Sequence, residues 1–182
     1  VPRGAAVVHE GDRTDFVYFV LTGNLKVMVS DEDGREVILT LLGAGECFGE
    51  MGLIDGAPRS ADVVTNENCE LLVIAKTDFK RALAENVDLC LNIMKSLVLR
   101  LREANRKIES LALMDVYGRV AKLLLDFSEM DHGARVIKRK VTKQDMAKMV
   151  GASREMVSRV MKDLEASGYI RIETGRIVLT ED

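Results

Sequence analysis

A short segment near the C-terminus carries charged side chains at a spacing suited to reading the edges of bases. Arg154, Glu155 and Arg159 lie on one face of a predicted helix over residues 154–166. An arginine can donate two hydrogen bonds to guanine, and a glutamate can accept one from cytosine. The opposite face is apolar, as expected of a helix packed on a small domain. This pattern predicts an element that binds in the major groove of double-stranded DNA.

The residues around this helix predict a complete helix-turn-helix. Residues 141–150 have the pattern of a short amphipathic helix with Thr142 as its N-cap, and Ser153 caps the second helix after a glycine turn. Two alternating strands around Thr174–Gly175 then predict a wing hairpin. A small helical subdomain of another kind is the alternative. The predicted DNA-binding residues are Thr142, Lys143, Ser153, Arg154, Glu155, Ser158, Arg159 and Lys162.

A glycine-rich segment in the front half has the residues for a second kind of chemistry, the binding of an anion. Residues 43–61 place glycines around a short apolar turn, and glycines allow main-chain amides to approach an anion closely. Arg59 and Ser60 could donate to a phosphate, and Glu50 could accept from a sugar hydroxyl. The alternative is an irregular loop in which Glu50 and Arg59 merely pair with each other.

Short strands separated by turn signals fill residues 5–75. Residues 16–21, 25–29 and 37–42 are apolar or alternate, and Asp31–Gly34 is a strong hairpin turn. Regular spacing of this kind predicts an antiparallel β-sandwich or jelly roll. With the helices that follow, the expected fold class is α+β.

The bulk composition sets broad limits on the class of protein. The chain has 182 residues, 47% of them hydrophobic, which allows one large or two small domains. We expect a cytoplasmic protein with no membrane partner, because neither a membrane span nor a signal peptide is evident. The three cysteines lack a paired metal spacing, so we expect buried, reduced thiols and no metal. The first residues read as the interior of an element, so we expect a missing N-terminal segment.

The net charge of −3 is distributed unevenly along the chain. Residues 133–182 hold 11 Lys/Arg against 7 Asp/Glu, whereas residues 1–112 hold 13 against 18. The basic surplus therefore coincides with the predicted DNA-binding part, as the neutralisation of phosphates requires.

Residues 87 to about 112 predict a long helix that forms a dimer. They contain no glycine or proline, and apolar residues recur in alternating steps of three and four, which is a heptad pattern. A parallel two-helix homodimer follows, and a helix packed only on its own β domain is the alternative. The next helix is predicted over Val116–Met130. The residues of the heptad are Met94, Leu97, Leu101, Ala104, Ile108 and Leu111.

The glycine-rich segment and the predicted DNA-binding helix, which follow each other in this order along the chain, resemble two motifs of the Crp/Fnr transcription regulators. The segment Phe48–Leu53, followed by Arg59–Ala61, resembles the phosphate-binding cassette of cyclic-nucleotide-binding domains. The segment Gly151–Arg159 resembles the recognition helix of that family. The resemblance implies a β-roll domain over residues 1–86, a dimerisation helix and hinge over 87–114, and a winged helix-turn-helix over 115–182.

The resemblance also implies roles for single residues. Gly49 and Glu50 would contact a ribose, and Arg59 and Ser60 would hold a cyclic phosphate. The family contacts the purine through a Thr-Ser pair, which matches Ala104 and Asn105 here; Asn105 could replace a hydroxyl, but Ala104 cannot. The predicted effector is cyclic AMP, and a cyclic dinucleotide or no effector at all is the alternative. The predicted ligand-binding residues are Gly49, Glu50, Met51, Arg59, Ser60, Ala61, Ala104 and Asn105.

The resemblance further implies the partners. A homodimer would bind a palindromic operator with half-sites resembling TGTGA, and RNA polymerase would contact a surface loop such as Ser128–Gly133. We expect no iron–sulfur cluster, because the cassette is retained, and no haem, because His9 is the only histidine of the β domain and reads as an ordinary strand-edge residue. No group of catalytic residues is evident, so an enzyme subunit that the front domain inhibits is the weaker alternative.

Overall fold

The front of the chain folds into antiparallel β-structure. The computed structural model describes residues 1–13, 15–138, 141–173 and 175–180, and the chain divides into two compact units, Val1–Glu103 and Ala104–Asp182. The elements of the first unit are β1 (Ala6–Val8), β2 (Phe16–Thr22), β3 (Leu25–Ser30), β4 (Glu36–Leu42), β5 (Cys47–Phe48), α1 (Met51–Asp55), β6 (Asp62–Thr65), β7 (Glu70–Ala75) and α2 (Lys76–Glu85), followed by the start of α3 (Val87–Leu113).

The strands form two sheets, which confirms the predicted β-sandwich. One sheet has the order β1-β6-β3-β4 and the other the order β5-β2-β7, and all pairings are antiparallel. Successive residues of β2 face opposite sides of the sheet. Val20 packs with Leu25 and Phe48, whereas Val17 packs with Phe79 of α2. Because β2 contributes to both clusters, it joins the core of the roll to the helices packed on it.

The long helix α3 is present as predicted, and only part of its apolar surface is used within one chain. Ile93 packs with the core of the first unit. The heptad residues Met94, Leu101, Ile108 and Leu111 are between 49% and 64% exposed. An exposed heptad of this kind leaves apolar surface that a second helix could cover.

The second unit is a small helical domain with a four-stranded sheet. Its elements after α3 are α4 (Val116–Phe127), β8 (Glu129–Asp131), β9 (Ala134–Ile137), α5 (Lys143–Val150), α6 (Arg154–Ala166), β10 (Ile170–Glu173) and β11 (Arg176–Leu179). The sheet order is β10-β11-β9-β8. Val120, Leu124, Met146 and Val157 lie in one core, so α4, α5 and α6 pack on each other and on this sheet.

The prediction that α4 continues to Met130 was wrong. The helix ends at Phe127, and Ser128 adopts an extended conformation in which its hydroxyl donates to the Leu125 carbonyl at 2.7 Å. Glu129–Asp131 then pairs with β9 through a turn at His132 and Gly133, both with positive φ, as in a type I′ hairpin turn. Sequence periodicity missed this strand because it has only three residues.

Candidate functional site

The glycine-rich segment brings together three of the predicted ligand-binding residues. Strand β5 ends at Phe48, and Gly49 follows with φ +82°, a conformation that favours glycine. A Cβ atom on Gly49 would overlap the Arg59 guanidinium. Glycine is therefore required here both for the turn and for the close approach of an arginine to the main chain.

The side chain of Glu50 is buried, and only one of its two carboxylate oxygens accepts a hydrogen bond from the described residues. It is 1% exposed, and its Oε1 accepts a hydrogen bond from Arg100 Nη1 at 2.7 Å. Among the described residues its Oε2 has no hydrogen-bond partner. Buried carboxylate oxygens are normally satisfied, so Oε2 has an acceptor position suited to a hydroxyl group of a ligand. The alternative that Glu50 pairs with Arg59 is wrong.

Arg100 is a residue of this site that the sequence analysis missed. It directly precedes the heptad residue Leu101, and its side chain binds Glu50 and also donates to the Cys47 carbonyl. The available signal was its spacing, because Arg100 lies one helical turn before Ala104 and therefore shares a face with it. Its Nε is a second buried polar atom without a partner among the described residues.

Arg59 donates hydrogen bonds to main-chain carbonyls of β2 and of the residue after β5. It is 8% exposed; its Nη1 donates to the Gly49 carbonyl at 2.7 Å and its Nη2 to the Phe16 carbonyl at 2.6 Å. The Tyr18 ring centroid lies 5.8 Å from its guanidinium carbon, and Tyr18 stacks on Phe48. A guanidinium has five N–H donors, so donors are left for an anion.

The other predicted ligand-binding residues differ in environment. Met51 begins α1 and is exposed, and Ser60 is exposed beside the buried Ala61. Ala104 and Asn105 are exposed on α3 and belong to the second unit. Within the first unit a hydrogen bond joins Arg59 to the Gly49 carbonyl, and Glu50 follows Gly49 directly along the chain.

The cysteines are free thiols, as predicted. Cys47 and Cys69 are buried, and Cys90 is half-buried, which differs from the expectation of full burial. Burial raises the pKa of the Cys47 thiol to about 11. Because the thiolate is the reactive form, this residue is inert near neutral pH.

The helix-turn-helix is capped as its sequence predicted. The Thr142 hydroxyl accepts from the Asp145 amide at 3.0 Å and donates to Asp145 Oδ2 at 2.6 Å. Gly151 ends α5 in the left-handed conformation, and the Ser153 hydroxyl accepts from the Met156 amide at 3.1 Å. These bonds satisfy amides that the start of a helix leaves without partners.

Helix α6 presents a polar face to solvent. Val157, Val160, Met161 and Leu164 are buried. On the other side Arg154, Glu155, Ser158, Arg159 and Lys162 line an open concavity of about 450 Å³. The structure thus brings together five of the predicted DNA-binding residues, whereas Lys143 is half-buried on α5.

Arg119 is a second residue that the sequence analysis missed. Its Nε donates to the Val150 carbonyl and its Nη1 to the Met114 carbonyl, both at 2.9 Å. This side chain therefore links the residue after α3 to the last residue of α5. Its position in the apolar pattern of α4 gave no sign of this role.

The wing hairpin of β10 and β11 is confirmed, and its charges pair internally. Glu173 accepts from Arg171 Nε and Arg176 Nε at 2.9 and 2.7 Å, and the Arg176 guanidinium lowers the pKa of Glu173. Thr174 of the predicted wing turn lies outside the described residues, as do Arg139 and Lys140 of the basic run 138–140. Lys138 of that run contacts Asp131 at 3.1 Å.

Within residues 1–13, 15–138, 141–173 and 175–180, no helix is both long and apolar enough to cross a membrane. In the same residues, no three or more His, Cys, Asp or Glu side chains gather as metal ligands would.

Known proteins match both units. The cyclic nucleotide-binding domain family matches residues 1–86, and the Crp-like helix-turn-helix domain family matches residues 118–181. The chain is 35% identical to the cAMP-activated global transcriptional regulator CRP of Pasteurella multocida (strain Pm70), over 98% of this chain and 87% of that protein. It is 34% identical to the cAMP-activated global transcriptional regulator Vfr of Pseudomonas aeruginosa, over 96% of this chain and 85% of that protein.

A solved structure gives the same picture. The c-di-GMP responsive global regulator CLP of Xanthomonas campestris is 32% identical, with a TM-score of 0.85, and the match covers 100% of this chain and 92% of that one. A β-roll with a nucleotide-binding cassette, followed by a winged helix-turn-helix, defines a class of DNA-binding regulators rather than enzymes. The chain belongs to the Crp/Fnr family of transcription regulators.

Proposed function

We propose that the protein is a homodimeric transcription regulator. It binds a cyclic nucleotide in the cassette, and the nucleotide-bound dimer binds a palindromic operator. The observation that carries the nucleotide assignment is that Oε2 of the 1% exposed Glu50 has no hydrogen-bond partner in the described part of the chain. The buried Arg59 nearby has donors left for an anion. Glu50 would accept from the ribose hydroxyl, and Arg59 with Ser60 would donate to the cyclic phosphate.

Cyclic AMP is the proposed effector. The relatives from Pasteurella multocida and Pseudomonas aeruginosa are named as cAMP-activated, and the cassette has the polar groups for a ribose and one phosphate. Isothermal titration calorimetry with cyclic AMP, cyclic GMP and cyclic di-GMP tests the choice. We expect heat from cyclic AMP and its loss in Arg59→Ala, but not in Arg81→Ala, which removes an exposed arginine of α2.

Cyclic di-GMP is the second candidate. Ala104 stands where the family has a hydroxyl that contacts the purine, and the similar regulator CLP is named as c-di-GMP responsive. Heat from cyclic di-GMP alone in the same titrations would replace the first candidate. Heat from none of the three would favour a regulator that binds DNA without an effector.

The dimer would form through α3. Leu101 is 62% exposed in the heptad, and a parallel coiled coil would bury it against its partner. Leu99 is 61% exposed on the same helix but off the heptad, so it is a matched control. Sedimentation equilibrium should show a dimer for the wild type and for Leu99→Glu and a monomer for Leu101→Glu; equal behaviour of the two variants would contradict this interface.

The operator would be read by α6. In a dimer the two recognition helices would enter successive major grooves, about 34 Å apart. Arg154, Glu155 and Arg159 are exposed in one concavity, which supports direct contacts to guanine and cytosine. Selection from a pool of random duplexes should enrich palindromes with TGTGA-like half-sites. We propose RNA polymerase as a further partner of the DNA-bound protein.

A further inference from the structure

We propose that Tyr18 is a positioning residue that sets the plane of the Arg59 guanidinium in the nucleotide pocket. The guanidinium carbon lies 5.8 Å from the centre of the Tyr18 ring, within the distance at which a cation is attracted by an aromatic face. The inference rests on the proposed phosphate-binding role of Arg59. It concerns how that arginine is held before any ligand arrives.

Tyr18 is itself held in place by a second aromatic ring. The rings of Tyr18 and Phe48 are stacked, with centroids 4.9 Å apart and an angle of 8° between their planes. The two residues are register partners in the antiparallel pairing of β2 with β5. Phe48 is 3% exposed and belongs to the core of the roll. Stacking on this core residue holds the Tyr18 ring that the guanidinium contacts.

Main-chain carbonyls of β2 and of the residue after β5 bind the edge of the guanidinium. The acceptor of Nη2 is the Phe16 carbonyl, two residues before Tyr18, and the acceptor of Nη1 is the Gly49 carbonyl, directly after Phe48. The two carbonyls accept from the two terminal nitrogens, and the Tyr18 ring contacts the same guanidinium, so Arg59 is held by residues of β2 and by the residue after β5. Donors fixed before binding lose less freedom when an anion arrives.

A purely structural role for Tyr18 is the competing explanation, since the residue also packs against the core cluster. Two substitutions separate the explanations. Tyr18→Phe keeps the ring and removes only the hydroxyl, whereas Tyr18→Leu keeps an apolar side chain and removes the ring. Tyr169→Leu, at an exposed tyrosine of the second unit, controls for the general loss of a tyrosine.

The first measurement is nuclear magnetic resonance of the full chain with 15N-labelled arginine and without any nucleotide. Arg59→Lys assigns the Arg59 side-chain signals. We expect slow rotation and ring-shifted signals in the wild type, in Tyr18→Phe and in Tyr169→Leu, and averaged signals in Tyr18→Leu. Unchanged Arg59 signals in Tyr18→Leu, or their loss in Tyr18→Phe, would overturn the positioning role. Thermal unfolding of each variant shows whether the fold is retained.

The second measurement is calorimetric titration of the same variants with cyclic AMP and with cyclic di-GMP. For whichever nucleotide binds the wild type, Tyr18→Leu should bind it about 3- to 30-fold more weakly, and Tyr18→Phe should bind it equally well. Equal affinity of Tyr18→Leu would overturn the inference. Absence of binding by the wild type would instead defeat the proposed function, and the ligand-free spectra would still decide the role of Tyr18.

Discussion

The nucleotide cassette and the recognition helix use charged residues in opposite ways. In the cassette Glu50 and Arg59 are 1% and 8% exposed and bind other parts of the chain. On α6 Arg154 and Arg159 are exposed, and their helix is held by the apolar face beneath them. A small ligand needs a few donors fixed in a water-poor pocket, whereas a duplex needs charges that reach outward.

This difference explains which features were predictable from the sequence. The caps of α5 and α6 and the apolar face of α6 depend on residues three or four positions apart, so periodicity and residue type were sufficient. The pair of Glu50 with Arg100 joins residues 50 positions apart, and no local pattern indicates it. The resemblance to the cassette named Glu50 and Arg59, but not the side chains that hold them.

The largest expected effect is on the folded stability of the first unit. Arg100→Ala would leave the 1% exposed Glu50 carboxylate without its partner. Breaking such a pair should lower the free energy of unfolding by about 3 kcal/mol, near the lower end for buried pairs because Arg100 is partly exposed. Urea denaturation measures this, with the exposed neighbour Arg102→Ala as the control. Equal midpoints for the two variants would show that the pair does not stabilise the fold.

The next effect separates backbone strain from the close approach of Arg59. Gly49 and Gly45 have φ of +82° and +87°, but a Cβ would overlap Arg59 only at Gly49 and would meet nothing within 4 Å at Gly45. Both alanine variants should lose stability through backbone strain, and Gly49→Ala should lose more because its Cβ displaces Arg59. Only Gly49→Ala should weaken nucleotide binding, by about 10- to 150-fold, through the displaced charged donor. Similar weakening in both variants would argue against a specific role of Arg59.

A smaller effect is expected at the DNA surface, and it should depend on the base sequence. Arg159→Ala should cost about 1–3 kcal/mol at one guanine of each half-site. Arg171→Ala removes a positive charge of the wing that we expect to lie near phosphates rather than bases, so it should weaken binding to all duplexes alike. Competition with duplexes substituted at single positions measures both variants. The base-reading assignment fails if Arg159→Ala weakens binding uniformly.

The smallest expected effect is at the start of α6. Ser153→Ala removes the hydroxyl that accepts from the Met156 amide and should lower the free energy of unfolding by about 1 kcal/mol. Ser153→Gly should lower the free energy of unfolding by only about a few tenths of a kcal/mol, since glycine is also accepted at an N-cap. Thermal unfolding of the three proteins checks the order, and a more stable Ala variant than Gly variant would contradict it.

The proposed function requires that nucleotide binding in the cassette controls DNA binding by α6, and fluorescence anisotropy measures this coupling. A labelled duplex with a TGTGA palindrome is titrated with the protein, with and without excess cyclic AMP. We expect the nucleotide to strengthen DNA binding by about 5- to 150-fold, the range of a typical coupling between two sites. Equal affinity with and without cyclic AMP would contradict gating by that nucleotide.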